Sequence, residues 1–202
     1  MDIGAKLSLR GGLPGARVFD LAANALRKAR AAGLSTLDRL PLALPASWCV
    51  NSPADSRMLR RWALSPEREV WAALVDVLEE AAPWSATSNE ALAGGICAIG
   101  PEPNAVEAIS KVLALLVPER VPLMPPAARA FVLGEPASDG ASAFVAMVQW
   151  FRSAADAGRT ELAAWSRAHE EVPLSAAQVL DRMLWFDSEG HRHFPMRNRP
   201  DS

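Results

Sequence analysis

The stretch from Ala105 to Gly134, AVEAISKVLALLVPERVPLMPPAARAFVLG, constrains this chain more than any other. It holds the strongest apolar run in the protein. The order of its parts predicts a buried helix, a proline-braced elbow and a second helix closed by Gly134. Hydrophobic residues make up 50% of the 202-residue chain, enough for a continuous core at this size. Architecture is therefore readable here, and chemistry much less so.

Helical periodicity continues on both sides of the elbow. Ala16 to Ala32 places Val18, Leu21, Ala22, Ala25, Leu26 and Ala29 on one stripe, and Gly33 supplies a stop. Leu34 to Pro53 is punctuated by Pro41, Pro45 and Pro53 and is expected to wrap the surface, with Leu40, Leu42, Leu44 and Trp48 inward. A short helix is expected over 54–63. Ser65-Pro66-Glu67 then reads as cap, first helical residue and dipole partner for a helix carrying Val70, Trp71, Leu74, Val75 and Leu78. From Ser85 to Gly100 the signal weakens, and Gly94-Gly95 is expected to break one or two turns around Asn89 to Leu92. Ala141 to Ala157 carries Phe144, Val145, Val148 and Phe151. Thr160 to His169 follows with Thr160 as cap and Leu162 and Trp165 as anchors. Ser175 caps a last helix with Ala176, Val179, Leu180, Met183 and Leu184 in line. Leu74, Leu113, Leu116, Val148, Leu180 and Leu184 are the expected core. Strand signals are nearly absent. The reading is an all-α single globular domain, residues 1–190, of about seven to nine helices with proline-rich connections, followed by a polar C-terminal tail, 191–202.

Ser110-Lys111, then Pro118, then Val121-Pro122-Leu123-Met124 form a pattern of helix, lysine, proline, hydrophobic step and second proline turn. Over roughly residues 105–134 this resembles uncharacterised bacterial offshoots of the helix-hairpin-helix DNA glycosylase superfamily. The resemblance implies an all-α fold and a nucleic-acid association. Two features depart from that pattern. Pro125-Pro126 stands where an acidic residue commonly follows the second proline, and Leu13-Pro14-Gly15-Ala16-Arg17 lacks the second glycine of a phosphate-binding hairpin. Base excision and the phosphate clamp therefore do not carry over, and Lys111 is expected to be a solvated helix residue.

Charge is unevenly spread. Residues 1–62 hold ten Lys/Arg and four Asp/Glu, a net of +6, whereas residues 63–190 hold eight and eighteen, a net of −10. Such halves either attract each other within one fold or mark a basic surface for an anionic partner. On the second reading Arg17, Arg27, Lys28, Arg30, Arg57, Arg60 and Arg61 are the nucleic-acid-binding candidates, with Trp62 beside them for stacking. Asp187, Glu189, His191 and His193 alternate and would share one face if extended, as ligands for a divalent metal, but Gly190 interrupts them and a solvated tail is the simpler expectation.

No Gly-x-Ser-x-Gly, Walker-type loop or His-x-x-x-His pair occurs in the sequence. Catalytic residues are unassigned, and neither a metal nor another cofactor is expected. The longest aliphatic run, Val112 to Val117, is too short to span a bilayer. The N-terminal residues lack the apolar core of a secretory signal. Cys49 and Cys97 are isolated and are expected to be buried thiols in a reducing compartment. Cytoplasmic location without a membrane is thus expected. The leading expectation is a non-enzymatic interaction protein binding a protein partner or itself as a homo-oligomer. Nucleic-acid association is the alternative, and a metal-dependent enzyme using the C-terminal acidic and histidine residues is the second.

Overall fold

A computed structural model describes residues 14–47, 68–80, 85–100, 105–134, 140–169 and 174–185. Nine helices and no strand occur among them. They are α1 (Pro14–Ala31), α2 (Thr36–Ser47), α3 (Arg68–Glu79), α4 (Ala86–Ile99), α5 (Ala105–Leu116), α6 (Pro126–Leu133), α7 (Ala141–Ala157), α8 (Arg159–His169) and α9 (Ala176–Trp185). The all-α class and the number of helices match the sequence expectation. None of the described helices is long and apolar enough to cross a membrane. The helix expected over 54–63, with Arg57, Arg60, Arg61 and Trp62, lies outside the described residues, as do the Ser65-Pro66-Glu67 start, Cys49 and the stretch from Asp187 to the tail.

Helix α5 is the axis of the fold. Eleven of its twelve residues are buried, and it contacts α1, α2, α4 and α7. A helix enclosed on every side is apolar all round, which is why this run reads so strongly in sequence. Lys111 corrects its expectation. It is buried, and its Nζ donates to Glu107 Oε1 at 2.7 Å, one turn back on the same helix. Glu107, one turn back, gives this enclosed lysine a carboxylate partner of the kind that i,i+4 helix spacing brings together.

The elbow after α5 is buried although it is irregular, so its backbone polar groups need partners. Pro118, Pro122 and Pro125 remove three donors outright. Side chains from α5, α9, α6 and α2 satisfy much of the rest. Met124 N–H donates to Ser110 Oγ (3.1 Å) and Leu123 N–H to Asp181 Oδ1 (3.0 Å), while Arg129 Nη1 donates to Met124 O (2.8 Å) and Arg39 Nη1 to Leu116 O (3.1 Å). Gly134 then ends α6 at a positive φ of 82°.

Three local expectations are corrected. The segment expected to wrap the surface is helix α2, with Pro41 and Pro45 inside it. The prolines are one turn apart on a single exposed face. A reciprocal cap at Ser35 and Asp38 starts the helix: Asp38 N–H donates to Ser35 Oγ, and Ser35 N–H and Oγ donate to Asp38 Oδ2. Those bonds hold the Asp38 carboxyl below its ordinary range. Leu42, expected inward, is 55% exposed. Helix α1 is also turned from its expected phase. Phe19, Ala23 and Leu26 are buried, while Leu21 and Ala25 face out. An alanine-rich stripe carries little phase information, and the seam is set by Asp20 and Asn24, which meet Arg182 and Gln178 of α9.

Gly94-Gly95 does not break α4, which runs unbroken from a Ser85 cap whose Oγ accepts from Ser88 N–H. The two glycines differ sharply. A Cβ at Gly94 would meet nothing within 4 Å, whereas one at Gly95 would lie 2.6 Å from Leu74 Cδ2 and 2.9 Å from its Cγ. Gly95 is what lets α4 lie close against α3. Gly94→Ala is expected to stabilise the protein by about 0.5–1 kcal/mol through helix propensity. Gly95→Ala is expected to destabilise it by about 1 kcal/mol net, because overpacking against a buried leucine exceeds that gain. Denaturant midpoints that move the same way in both variants would contradict this packing.

At the C-terminal end, α8 begins at Arg159 directly after Gly158, so Thr160 lies in its first turn and is not the cap. Ser175 does cap α9, reciprocally with Gln178. Leu180, placed in the core by its stripe, is only half-buried, whereas Leu74, Leu113, Leu116, Val148 and Leu184 are buried as expected. Helix α9 turns Gln178 and Arg182 toward α1, which rotates Leu180 to the edge. Cys97 is exposed, because α4 points its neighbour Ile96 inward.

Candidate functional site

Two neighbourhoods of the elbow carry unusual chemistry. The first is a cleft of about 170 Å³ where the end of α1, the end of α3 and the Val117–Arg120 turn meet. Arg27, Arg30, Arg120, Glu79 and Glu119 line it around an apolar floor of Leu116, Val117 and Pro118. Helical spacing places Arg27 and Arg30 side by side on α1, since residues three apart are neighbours. Arg30 Nη2 lies 2.6 Å from Glu79 Oε2, and Arg27 Nη1 lies 3.6 Å from Glu119 Oε1. Glu79 Oε1 is buried without a hydrogen-bond partner among the described residues.

Below the cleft lies Arg39, 2% exposed, bonded to Leu116 O and to Thr36 Oγ1. Burial pushes its guanidinium below the usual arginine range, Glu79 pulls it back up and Arg30 pushes it further down. Arg39 stays charged in this setting, because an arginine starts far above neutral pH. On the other side, buried Arg152 of α7 donates through Nη2 to Glu80 O at 2.9 Å. Its guanidinium is also lowered, first by burial and then by the positive charge of Arg120. Arg120 itself is half-buried and has no ion pair among the described residues.

The second neighbourhood is α6, whose polarity is inverted. Its one charged residue, Arg129, points in and is 1% exposed, while Phe131 is 60% exposed and Leu133 also reaches solvent. The inversion follows from the elbow. Arg129 turns inward and donates to Met124 O, and the apolar residues on the far side of the turn face out.

Of the basic residues expected to bind nucleic acid, the structure brings Arg27 and Arg30 together but gives each an acidic partner. Lys28 is exposed on a different face of α1, and the side chains of Arg17, Arg57, Arg60 and Arg61 lie outside the description. Asp187, Glu189, His191 and His193 are likewise outside it. Among the described residues no three His, Cys, Asp or Glu gather as metal ligands. Sequence reasoning missed Arg39, Glu79, Glu119 and Arg120. The available signal was Glu119-Arg120, a charged pair set inside the strongest apolar run of the chain. No family model, curated protein or solved structure matches the chain.

Proposed function

We propose that this chain is a non-enzymatic interaction protein that binds another polypeptide, a second copy of itself included, through the outer face of α6. The observation that carries the proposal is the inverted polarity of that helix: Arg129 buried, Phe131 and Leu133 exposed. Scattered exposed leucines such as Leu21 and Leu42 are ordinary on protein surfaces. A short helix with its charge inside and its aromatic residue outside is not. Aromatic side chains are also enriched in protein–protein interfaces. The pairing of Arg27 with Glu119 and of Arg30 with Glu79 supports the same reading, because those cations already have counterions.

Purification from the native cell, with and without nuclease, tests the proposal against the nucleic-acid alternative. A protein companion that survives nuclease and is lost in Phe131→Asp is the expected result. For nucleic acid, fluorescence anisotropy at physiological salt is expected to give a Kd no tighter than about 1 μM, in the non-specific range. A nanomolar complex with duplex or single-stranded nucleic acid, lost when Arg57, Arg60 and Arg61 become glutamine, would overturn the proposal.

A further inference from the structure

We propose that α8 and α9 form an arm that opens from the rest of the protein as one unit while α1–α7 stay folded, and that a polar seam along α9 holds it shut. The inference goes beyond the reading of α6 and does not depend on it.

The arm is built to hold itself together. Helix α8 packs chiefly against α9, and Leu162, Trp165, Leu174, Val179 and Met183 form a small apolar cluster of their own, apart from the main core. Buried Ser166 of α8 accepts through Oγ from Leu174 N–H at 2.7 Å, which ties α8 to the approach to α9. Gly158 alone separates α7 from α8, so the arm has a single-residue joint at its root. Hinges are a few positions at the ends of elements.

The surface on which the arm closes is of another kind. Among the residues described in α8 and α9, Leu184 alone belongs to the main core. A second small cluster sets Ala177 and Leu180 against Phe151 and Ala155 of α7. Toward α1 and the elbow the seam is polar. Arg182 Nε donates to Asp20 Oδ2 at 2.9 Å and Gln178 Nε2 to Asn24 Oδ1 at 3.4 Å, both on α1, while Asp181 Oδ1 accepts from Leu123 N–H at 3.0 Å. When such a seam opens, water takes the place of each partner and both ions of the Asp20–Arg182 pair are rehydrated. Most of what the bonds gave is thereby returned. Apolar burial has no such replacement. Sub-global opening follows boundaries with few buried apolar contacts, and the boundary along α9 is of that sort. Opening takes from Phe151 and Ala155 the cover that α9 gives them and so uncovers apolar surface on α7.

Native-state hydrogen exchange of the full chain, read by mass spectrometry of its peptides, tests this. Peptides of α8 and α9 are expected to exchange together, at least about tenfold faster than those of α4 and α5. Leu116→Ala weakens the main core, which is equally folded in the closed and open forms. It is therefore expected to speed α4 and α5 and to leave α8 and α9 within about twofold of their original rate. Asp20→Ala is expected to speed α8 and α9 at least about tenfold, and Asp20→Leu with Arg182→Met to return them toward that rate. Arm peptides that exchange at the rate of α4 and α5, or that speed up in step with them in Leu116→Ala, would show one cooperative unit and overturn the proposal. Arm exchange unaltered by Asp20→Ala would overturn it as well, since the helices would then fray without the seam opening.

Discussion

Truncation of Leu116 to alanine is expected to destabilise the protein by about 2–5 kcal/mol, measured by denaturant unfolding. Leu116 is buried at the end of α5, between the floor of the charged cleft and the main hydrophobic core. Its carbonyl is the acceptor for Arg39, so the backbone there is held and relaxes little around a cavity. Poor relaxation puts the cost toward the upper part of the range. A loss below about 0.5 kcal/mol is typical of surface substitutions and would show that the side chain does not pack as described.

The second large effect is expected at a polar contact. Asp20→Ala removes the carboxylate that receives two nitrogens of Arg182, Nε at 2.9 Å and Nη2 beside it. Arg182 is buried, and Asp20 is largely so. Removing one member of a buried ion pair is expected to cost about 3 kcal/mol. Replacing both residues, Asp20→Leu with Arg182→Met, is expected to recover much of that loss, since an apolar pair of similar volume suffers no such penalty. A double variant as unstable as Asp20→Ala alone would mean that the contact between α1 and α9 depends on the ion pair itself.

Much of the fold was legible, and the illegible parts have definite causes. The seam of Trp71, Leu74, Val75 and Leu78 and the buried run of α5 were readable because large apolar side chains recur at helical spacing. Helix α2 was hidden by Pro41 and Pro45. A local rule counts two helix breakers, but only the assembled protein shows both on the exposed face of one helix. Gly94-Gly95 misled in the same way, since a glycine needed for close approach to Leu74 looks in sequence like a stop. The phase of α1 depended on Asp20 and Asn24 meeting α9, a contact between residues more than 150 positions apart in the chain.

The cleft was half-legible. Arg27 and Arg30 stood out as basic residues, but Glu79 and Glu119 come from distant parts of the chain, and only folding makes them counterions. The charge asymmetry therefore has a partial internal answer, with acidic residues of the central segments meeting cations of α1 across this cleft. The inversion of α6 was not legible, because the carbonyl of Met124, onto which Arg129 turns inward, is presented only by the folded elbow.

Photo-crosslinking in the native cell probes whether the outer face of α6 meets another polypeptide. A benzophenone amino acid is placed at Phe131 and, as a control, at the exposed Ser153 of α7. A discrete adduct is expected at position 131 that resists nuclease, is identified by mass spectrometry as one polypeptide species, and is absent at position 153. No adduct at position 131, with nuclease-sensitive adducts formed instead from the same probe at Lys28, would contradict it.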